Sequence, residues 1–318
     1  VVLAQADYPL AIDPAVSAEY GLDNLLVSAP AYQDQIYVKT VWGGTNYLAV
    51  WQDDRGGDWS DYEYNIFGSR ISAAGQVVDP YGIAICVKPW PQQEPGVGWN
   101  GTSYVVAWQD GRSATNYLIY GARVGTDGSV LDPDGVLIGT SPTNRNQYSP
   151  WVTTRTGSVL VVWEDLRAGQ RDVYGRLVGV DGVPIGSSAF FICNQTNHQE
   201  EVSAAWGETN YLVAWEDLRN DHDTWDYDDV YGARVGPDGT LLDTSSLAVG
   251  VFGSSYQHRP RVAWGGTNFL VVWEDSRNSV SSGYDVYGAR VSSSGQVIDP
   301  SPLVVCNNAS NQGSPSVA

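Results

Sequence analysis

Apolar and polar positions alternate along this 318-residue chain in short bursts. In its last full unit, "PRVAW" at 260–264 is followed by the turn "GGTN", then "FLVVWED", a variable loop, "DVYGARV", the turn "SSGQ" and "VIDPSPLVV". Each apolar run spans 5 to 8 residues, is rich in Val, Tyr and Trp, and is bounded by Gly, Asn, Asp or Pro, which predicts strands. Nowhere does a 3.6-residue pattern last long enough for a helix. The order then repeats. Aligned on Trp51, Trp108, Trp163, Trp215 and Trp273, successive units are 57, 55, 52 and 58 residues apart, and Gln35, Gln92, Gln147, Gln199, Gln257 and Gln312 keep the same step.

Four strands in roughly 50 residues is the unit of a β-propeller blade, whose strands are apolar on both faces because neighbouring blades cover them. The expected fold is therefore all-β, a propeller of four-stranded antiparallel blades. Residues 35–311 form five repeats, 1–34 an N-terminal segment with a closing strand, and 312–318 the start of a further first strand. Five blades is the expected number, with a six-bladed ring or a longer array as the alternative. "YPLAIDP" at 8–14 echoes "GQVIDP" at 295–300, so the two ends either close the ring by strand exchange or form the edges of an array.

The most regular chemistry is a Trp-Glu/Gln-Asp-x-Arg group, contributing Asp53, Asp110, Asp165, Asp217 and Asp275 with Arg55, Arg112, Arg167, Arg219 and Arg277. A Tyr-Gly-Ala-Arg group adds Arg123, Arg234 and Arg290, with Arg70 in the variant "FGSR". Nine of the 17 basic residues thus sit at two repeat positions, where an arginine fork and a carboxylate can tie strands together. A catalytic centre needs one constellation, whereas this one recurs in every unit, so these are expected to be structural ion pairs. Blade three has Arg176 and Leu177 where Ala-Arg would stand, and should lack one tie.

The frame "WEDxR…D(V/I)YGAR…G(I/V)AIC…Q…P", with "GIAICVKPWPQQEP" at 82–95 as the inter-blade stretch, resembles the Trp-Glu-Asp-x-Arg / Asp-Ile-Tyr repeats of long secreted bacterial proteins. The resemblance covers nearly the whole chain. It implies an extracellular or cell-surface propeller and carries no general catalytic assignment.

Composition narrows the partners. A net charge of −19 and a pI near 4.3 repel phosphate backbones, which argues against nucleic acid, and no stretch reaches the roughly 20 apolar residues of a membrane span. Cys86, Cys193 and Cys306 occupy matching strand ends in separate repeats, too far apart for a disulfide, and are expected to be buried thiols. If the first strand starts at the top of the ring, the top loops are where the repeat varies, and variable loops on a rigid scaffold are where binding resides. The longest belong to blades one and four. They supply Trp59, Tyr62, Trp225 and Tyr227, which with Trp90 are candidates for stacking on a sugar. Asp221, Asp223, Asp226 and Asp228 are hard oxygen ligands suited to Ca²⁺, although their spacing matches no defined calcium loop and the alternative is a solvated acidic loop. His198, His222 and His258 scatter among loops and give a zinc site little support.

Five-bladed glycosidases need acids converging on the central funnel. The first strands "YVKTVW", "PGVGWN", "PWVTTR", "VSAAW" and "PRVAWG" offer Lys39, Arg155 and Arg261 but no interior carboxylate, with Glu94, Glu200 and Glu201 only at their entrances. The expectation is accordingly a non-enzymatic extracellular propeller for surface recognition or assembly, binding a surface protein or a glycan, with self-assembly through the terminal strands. A calcium-dependent lectin or adhesin, and a five-bladed-propeller glycoside hydrolase, are the alternatives.

Overall fold

In the computed structural model, residues 34–55, 64–141, 143, 145–220, 228–252, 255–279 and 283–318 are described. Blade 1 comprises β1 (Gln35–Trp42), β2 (Asn46–Asp53), β3 (Asn65–Ser72) and β4 (Ile83–Cys86). Blade 2 comprises β5 (Gln92–Trp99), β6 (Tyr104–Asp110), β7 (Leu118–Val124) and β8 (Val136–Leu137). Blade 3 comprises β9 (Gln147–Thr153), β10 (Ser158–Asp165), β11 (Asp172–Gly179) and β12 (Phe190–Cys193). Blade 4 comprises β13 (Gln199–Trp206), β14 (Tyr211–Asp217), β15 (Asp229–Val235) and β16 (Leu247–Gly250). Blade 5 comprises β17 (Gln257–Trp264), β18 (Asn268–Asp275), β19 (Asp285–Ser292) and β20 (Leu303–Cys306). Each is an antiparallel meander in chain order, and together they make an all-β, five-bladed propeller. No helix among the described residues is long and apolar enough to cross a membrane.

The second strands of blades 2 to 4 are hydrophobic on both faces because both are covered. Trp108, Trp163, Trp215 and Trp273 are fully buried, as is Tyr104, whose hydroxyl donates to the Asn46 carbonyl of the preceding blade at 2.6 Å. The apolar core is divided among the junctions of blades 1 and 2, 2 and 3, 3 and 4, and 4 and 5. The third-strand glycine serves the same close packing: a Cβ on Gly121 would meet Ile138 Cδ1 at 2.6 Å and the Val106 carbonyl at 2.8 Å.

No such cluster joins blade 5 to blade 1 among the described residues. Tyr47 is 44% exposed where its counterparts Tyr104, Tyr211 and Phe269 are at 0%, and Val305 is 55% exposed where Ile85, Ile192 and Val249 are at 4% or less. Beyond β20 the chain repeats a contact that opens the earlier first strands. The Gln312 N–H donates to the Tyr284 carbonyl at 2.7 Å, as those of Gln92, Gln147, Gln199 and Gln257 do to Tyr64, Tyr117, Arg171 and Asp228. Cys86 and Cys193 are buried free thiols, while Cys306, on the uncovered sheet, is only half-buried.

The Trp-Asp-Arg groups form one repeated unit. In blade 3 the fully buried Asp165 accepts from Trp163 Nε1 at 3.0 Å, Gln147 Nε2 at 2.8 Å and Arg167 Nη2 at 2.6 Å. Asp53, Asp110, Asp217 and Asp275 take the same bonds from their own Trp and from Arg55, Arg112, Arg219 and Arg277. Each guanidinium also lies 3.9 to 4.1 Å over the third-strand ring of its blade, Phe67, Tyr120, Tyr174, Tyr231 or Tyr287. The second arginine set pairs with the aspartate after the lower turn: Arg70 with Asp79, Arg123 with Asp132, Arg234 with Asp243 and Arg290 with Asp299. Three of them reach on to the next blade's lower turn, at Thr126, Val180 and Ser293. In blade 3, Arg176 faces inward onto the Ile138 carbonyl at 3.0 Å. The tie to blade 4 is still made, because Arg155 donates to the Pro237 carbonyl at 3.1 Å, the position matching Thr126 and Val180.

Candidate functional site

A cavity of about 750 Å³ opens along the axis, walled by the first strands of all five blades and by residues 314–318. A repeated backbone irregularity shapes it. Every complete first strand paired in this manner shifts register just after its second residue, as between Gln93 and Gly96 or between Glu200 and Ser203. The bulged residue is left-handed in every unit: Tyr37, Glu94, Ser149, Glu201, Arg259 and Ser314 have φ between 50° and 58°. None is glycine, so the conformation is held by its surroundings. For the five that follow a described blade, the Glu or Gln of that blade's motif accepts the bulge N–H. Gln52 takes that of Glu94 at 2.9 Å, Gln109 that of Ser149 at 3.1 Å, and Glu164 that of Glu201 at 2.9 Å. Glu216 takes that of Arg259 at 3.3 Å, and Glu274 that of Ser314.

The extra residue turns side chains that a plain alternating strand would leave at the entrance into the axial cavity. The expectation of a funnel without carboxylates is therefore corrected, since Glu94 and Glu201 both line it. Two positions further on, Lys39, Trp151 and Arg261 join them. Burial raises the Glu94 carboxyl above its ordinary value, against a 2.7 Å hydrogen bond from the Ser149 hydroxyl, and the charge of Glu201 raises it further. Glu201 is paired with Arg261 Nη2 at 3.3 Å. Lys39 Nζ lies 5.1 Å from the centre of the Trp151 ring and the Arg261 guanidinium 5.5 Å from it; burial and then Arg261 lower the lysine's pKa. The funnel thus holds a protonatable acid, a second carboxylate clamped by arginine, and an aromatic surface between two cations.

Of the residues the sequence singled out for binding, Trp90 is half exposed in the connection between blades 1 and 2, in a left-handed conformation, and does not line the funnel. Trp59, Tyr62, Trp225, Tyr227, Asp221, Asp223 and Asp226 lie outside the described residues. Asp228 is described, and it meets Glu216 and His258. Lys39 and Arg261 were legible as funnel residues, but the inward placement of Glu94 and Glu201 was not, although one signal marked it. The position two residues after each repeat Gln reads Tyr, Glu, Ser, Glu, Arg and Ser, and so breaks the symmetry of an otherwise regular strand.

No protein-family model matches the chain, and no curated protein matches its sequence. Solved structures do share its fold. An α-L-arabinofuranosidase from Lactobacillus brevis is 10% identical with a TM-score of 0.51, over 88% of this chain and 95% of that one. A thermostable family-43 glycoside hydrolase is 10% identical with a TM-score of 0.50, over 89% of this chain and 96% of that one. The non-enzymatic reading drawn from the sequence is corrected here. The scaffolds that this chain resembles are those of glycoside hydrolases, and the missing carboxylates on which that reading leaned are present in the funnel.

Proposed function

We propose that the chain is a glycoside hydrolase whose reaction centre is the axial funnel. One observation carries this reading: Glu94, raised by burial and held by Ser149, shares the cavity with Glu201, held by Arg261. Two carboxyl groups whose surroundings differ in this way divide the roles of acid and base. Glu94 donates its proton to the glycosidic oxygen as the bond to the anomeric carbon breaks. Glu201 is its carboxylate partner, stabilising positive charge at that carbon and assisting the attack that completes hydrolysis. Lys39 and Arg261, which lie over the Trp151 ring, are donors to sugar hydroxyls. The fold likeness makes α-L-arabinofuranosides the first class to assay.

The test is release of reducing ends from a panel of arabinan, arabinoxylan and aryl glycosides by the full chain. Glu94→Gln and Glu201→Gln should each lower the rate by about 10²- to 10⁴-fold with unchanged thermal unfolding, the range for loss of a general acid or base. A folded chain that releases no sugar from any member of the panel, or retains its rate in both variants, would overturn the proposal. The anomer formed first, read by NMR, shows whether Glu201 takes a proton from water or bonds to the anomeric carbon.

A further inference from the structure

At the top of the junction between blades 4 and 5, three side chains from separate strands and loops meet. His258 Nδ1 lies 3.1 Å from Glu216 Oε1 and 3.1 Å from Asp228 Oδ2, and one donor atom from each residue falls within 4.8 Å of the other two. Glu216 is buried at the end of β14, His258 is the second residue of β17, and Asp228 immediately precedes β15. The imidazole is fixed in plane by Tyr256, stacked at 5.2 Å and 16°, with Tyr284 at 5.8 Å on a tilted approach.

The same three positions can be followed around the ring. They hold Gln52, Tyr64 and Gln93 at the first junction, and Gln109, Tyr117 and Tyr148 at the second. At the third they hold Glu164, Arg171 and Glu200, where Arg171 Nη1 bridges the two carboxylates at 3.1 and 3.3 Å. Only the fourth junction combines two carboxylates with an imidazole in place of a permanent cation. The repeat therefore does not require this set.

We propose that Glu216, Asp228 and His258 form a binding site for a divalent cation of the zinc class. Donors about 2.0–2.2 Å from such an ion stand roughly 3 to 3.6 Å apart, and the 3.1 Å separations here match that spacing. A ring nitrogen among oxygen donors suits zinc and its first-row neighbours, whereas calcium favours an all-oxygen shell. Three protein ligands leave a further position open to water. Because Glu216 Oε2 also accepts the bulge N–H of Arg259, an ion here would brace the wall of the funnel. In its absence the same place is filled by a proton: burial alone would lower the pKa of His258, but hydrogen bonds to Asp228 and Glu216 outweigh it and raise it.

Calorimetric titration of the EDTA-treated full chain with Zn²⁺ near neutral pH tests the site, with Co²⁺ as a spectroscopic stand-in. The expected result is one saturable equivalent of Zn²⁺ bound more tightly than Ca²⁺, and visible Co²⁺ absorption bands of low-symmetry coordination. His258→Ala and Glu216→Gln should each weaken binding by more than about 100-fold. Glutamine already stands at the matching positions 52 and 109, so Glu216→Gln is the variant expected to fold normally, with circular dichroism as the check. Absence of a saturable equivalent in the wild-type chain, preference for Ca²⁺, or unchanged binding in a folded Glu216→Gln chain would each overturn the proposal. None of these readouts depends on hydrolysis, so the site stands or falls apart from the funnel's activity.

Discussion

Glu164 and Asp165 are adjacent in sequence, and burial acts on both, yet their pKa values shift in opposite directions. Burial alone would raise Asp165, but hydrogen bonds from Arg167, Trp163 and Gln147 outweigh it and hold the carboxyl below its usual range. Glu164 faces the other side of β10, where burial outweighs the Arg171 guanidinium 3.1 Å away and pushes it up to about 8. The stability that Asp165 contributes is present above its unfolded value near 3.8 and is lost as pH falls through the lower folded one. For Glu164 the sign reverses: the native chain keeps a proton up to about pH 8 that the unfolded chain releases near 4.5, so stability declines as pH rises between them. Glu164→Gln retains an acceptor for the Glu201 N–H and removes the titration. Unfolding free energies at pH 5 and pH 8 should show the wild-type chain losing more than about 1 kcal/mol relative to the variant, and parallel pH curves would refute this. Asp165→Ala, by contrast, leaves Arg167 without its buried partner and should cost about 3–5 kcal/mol in denaturant titrations at neutral pH.

Within a blade, what recurs could be read from the sequence and what bends could not. The Trp, Asp, Arg and Gln positions announce themselves because the same packing problem is solved five times, and they led to the blade and its four strands. The bulge leaves no such mark, since its left-handed position is filled by Tyr, Glu, Ser, Arg and never by glycine. A strand read as a plain alternation consequently places Glu94 and Glu201 outside the funnel, and the catalytic reading is lost with them. Among the described residues, blade 3 lacks the Arg–Asp pair of the second set, as its Arg176-Leu177 variant predicts, but Arg155 reaches Pro237 from a different turn, a substitution that no single repeat position encodes. The bulge itself can be tested at Ser149, whose φ is 50°. Ser149→Gly relaxes the backbone and should stay within about 1 kcal/mol of wild type, whereas the β-branched Ser149→Val should cost about 1–3 kcal/mol more than Ser149→Gly. Equal melting temperatures for the two variants would mean that the left-handed residue is not a constraint in solution.

Across the whole molecule, each blade depends on a neighbour, and the two end blades each show one face that the interior blades bury. Tyr47 and Tyr104 occupy the same repeat position, yet one is 44% exposed and the other fully buried, with its hydroxyl on the Asn46 carbonyl. Truncating a buried aromatic removes its transfer free energy and leaves a cavity, together about 3–5 kcal/mol, while an exposed ring loses only part of the first contribution. Tyr104→Ala should therefore destabilise the chain by about 3–5 kcal/mol and Tyr47→Ala by less than about 1.5 kcal/mol in the same denaturant series. The comparison holds side-chain type and repeat context fixed and varies only whether a blade lies against the ring. If the two variants cost the same, the face bearing Tyr47 is covered in solution. Light scattering then assigns the cover: a mass that rises with concentration places a second copy against blade 1, and a constant monomer mass places this chain's own residues there.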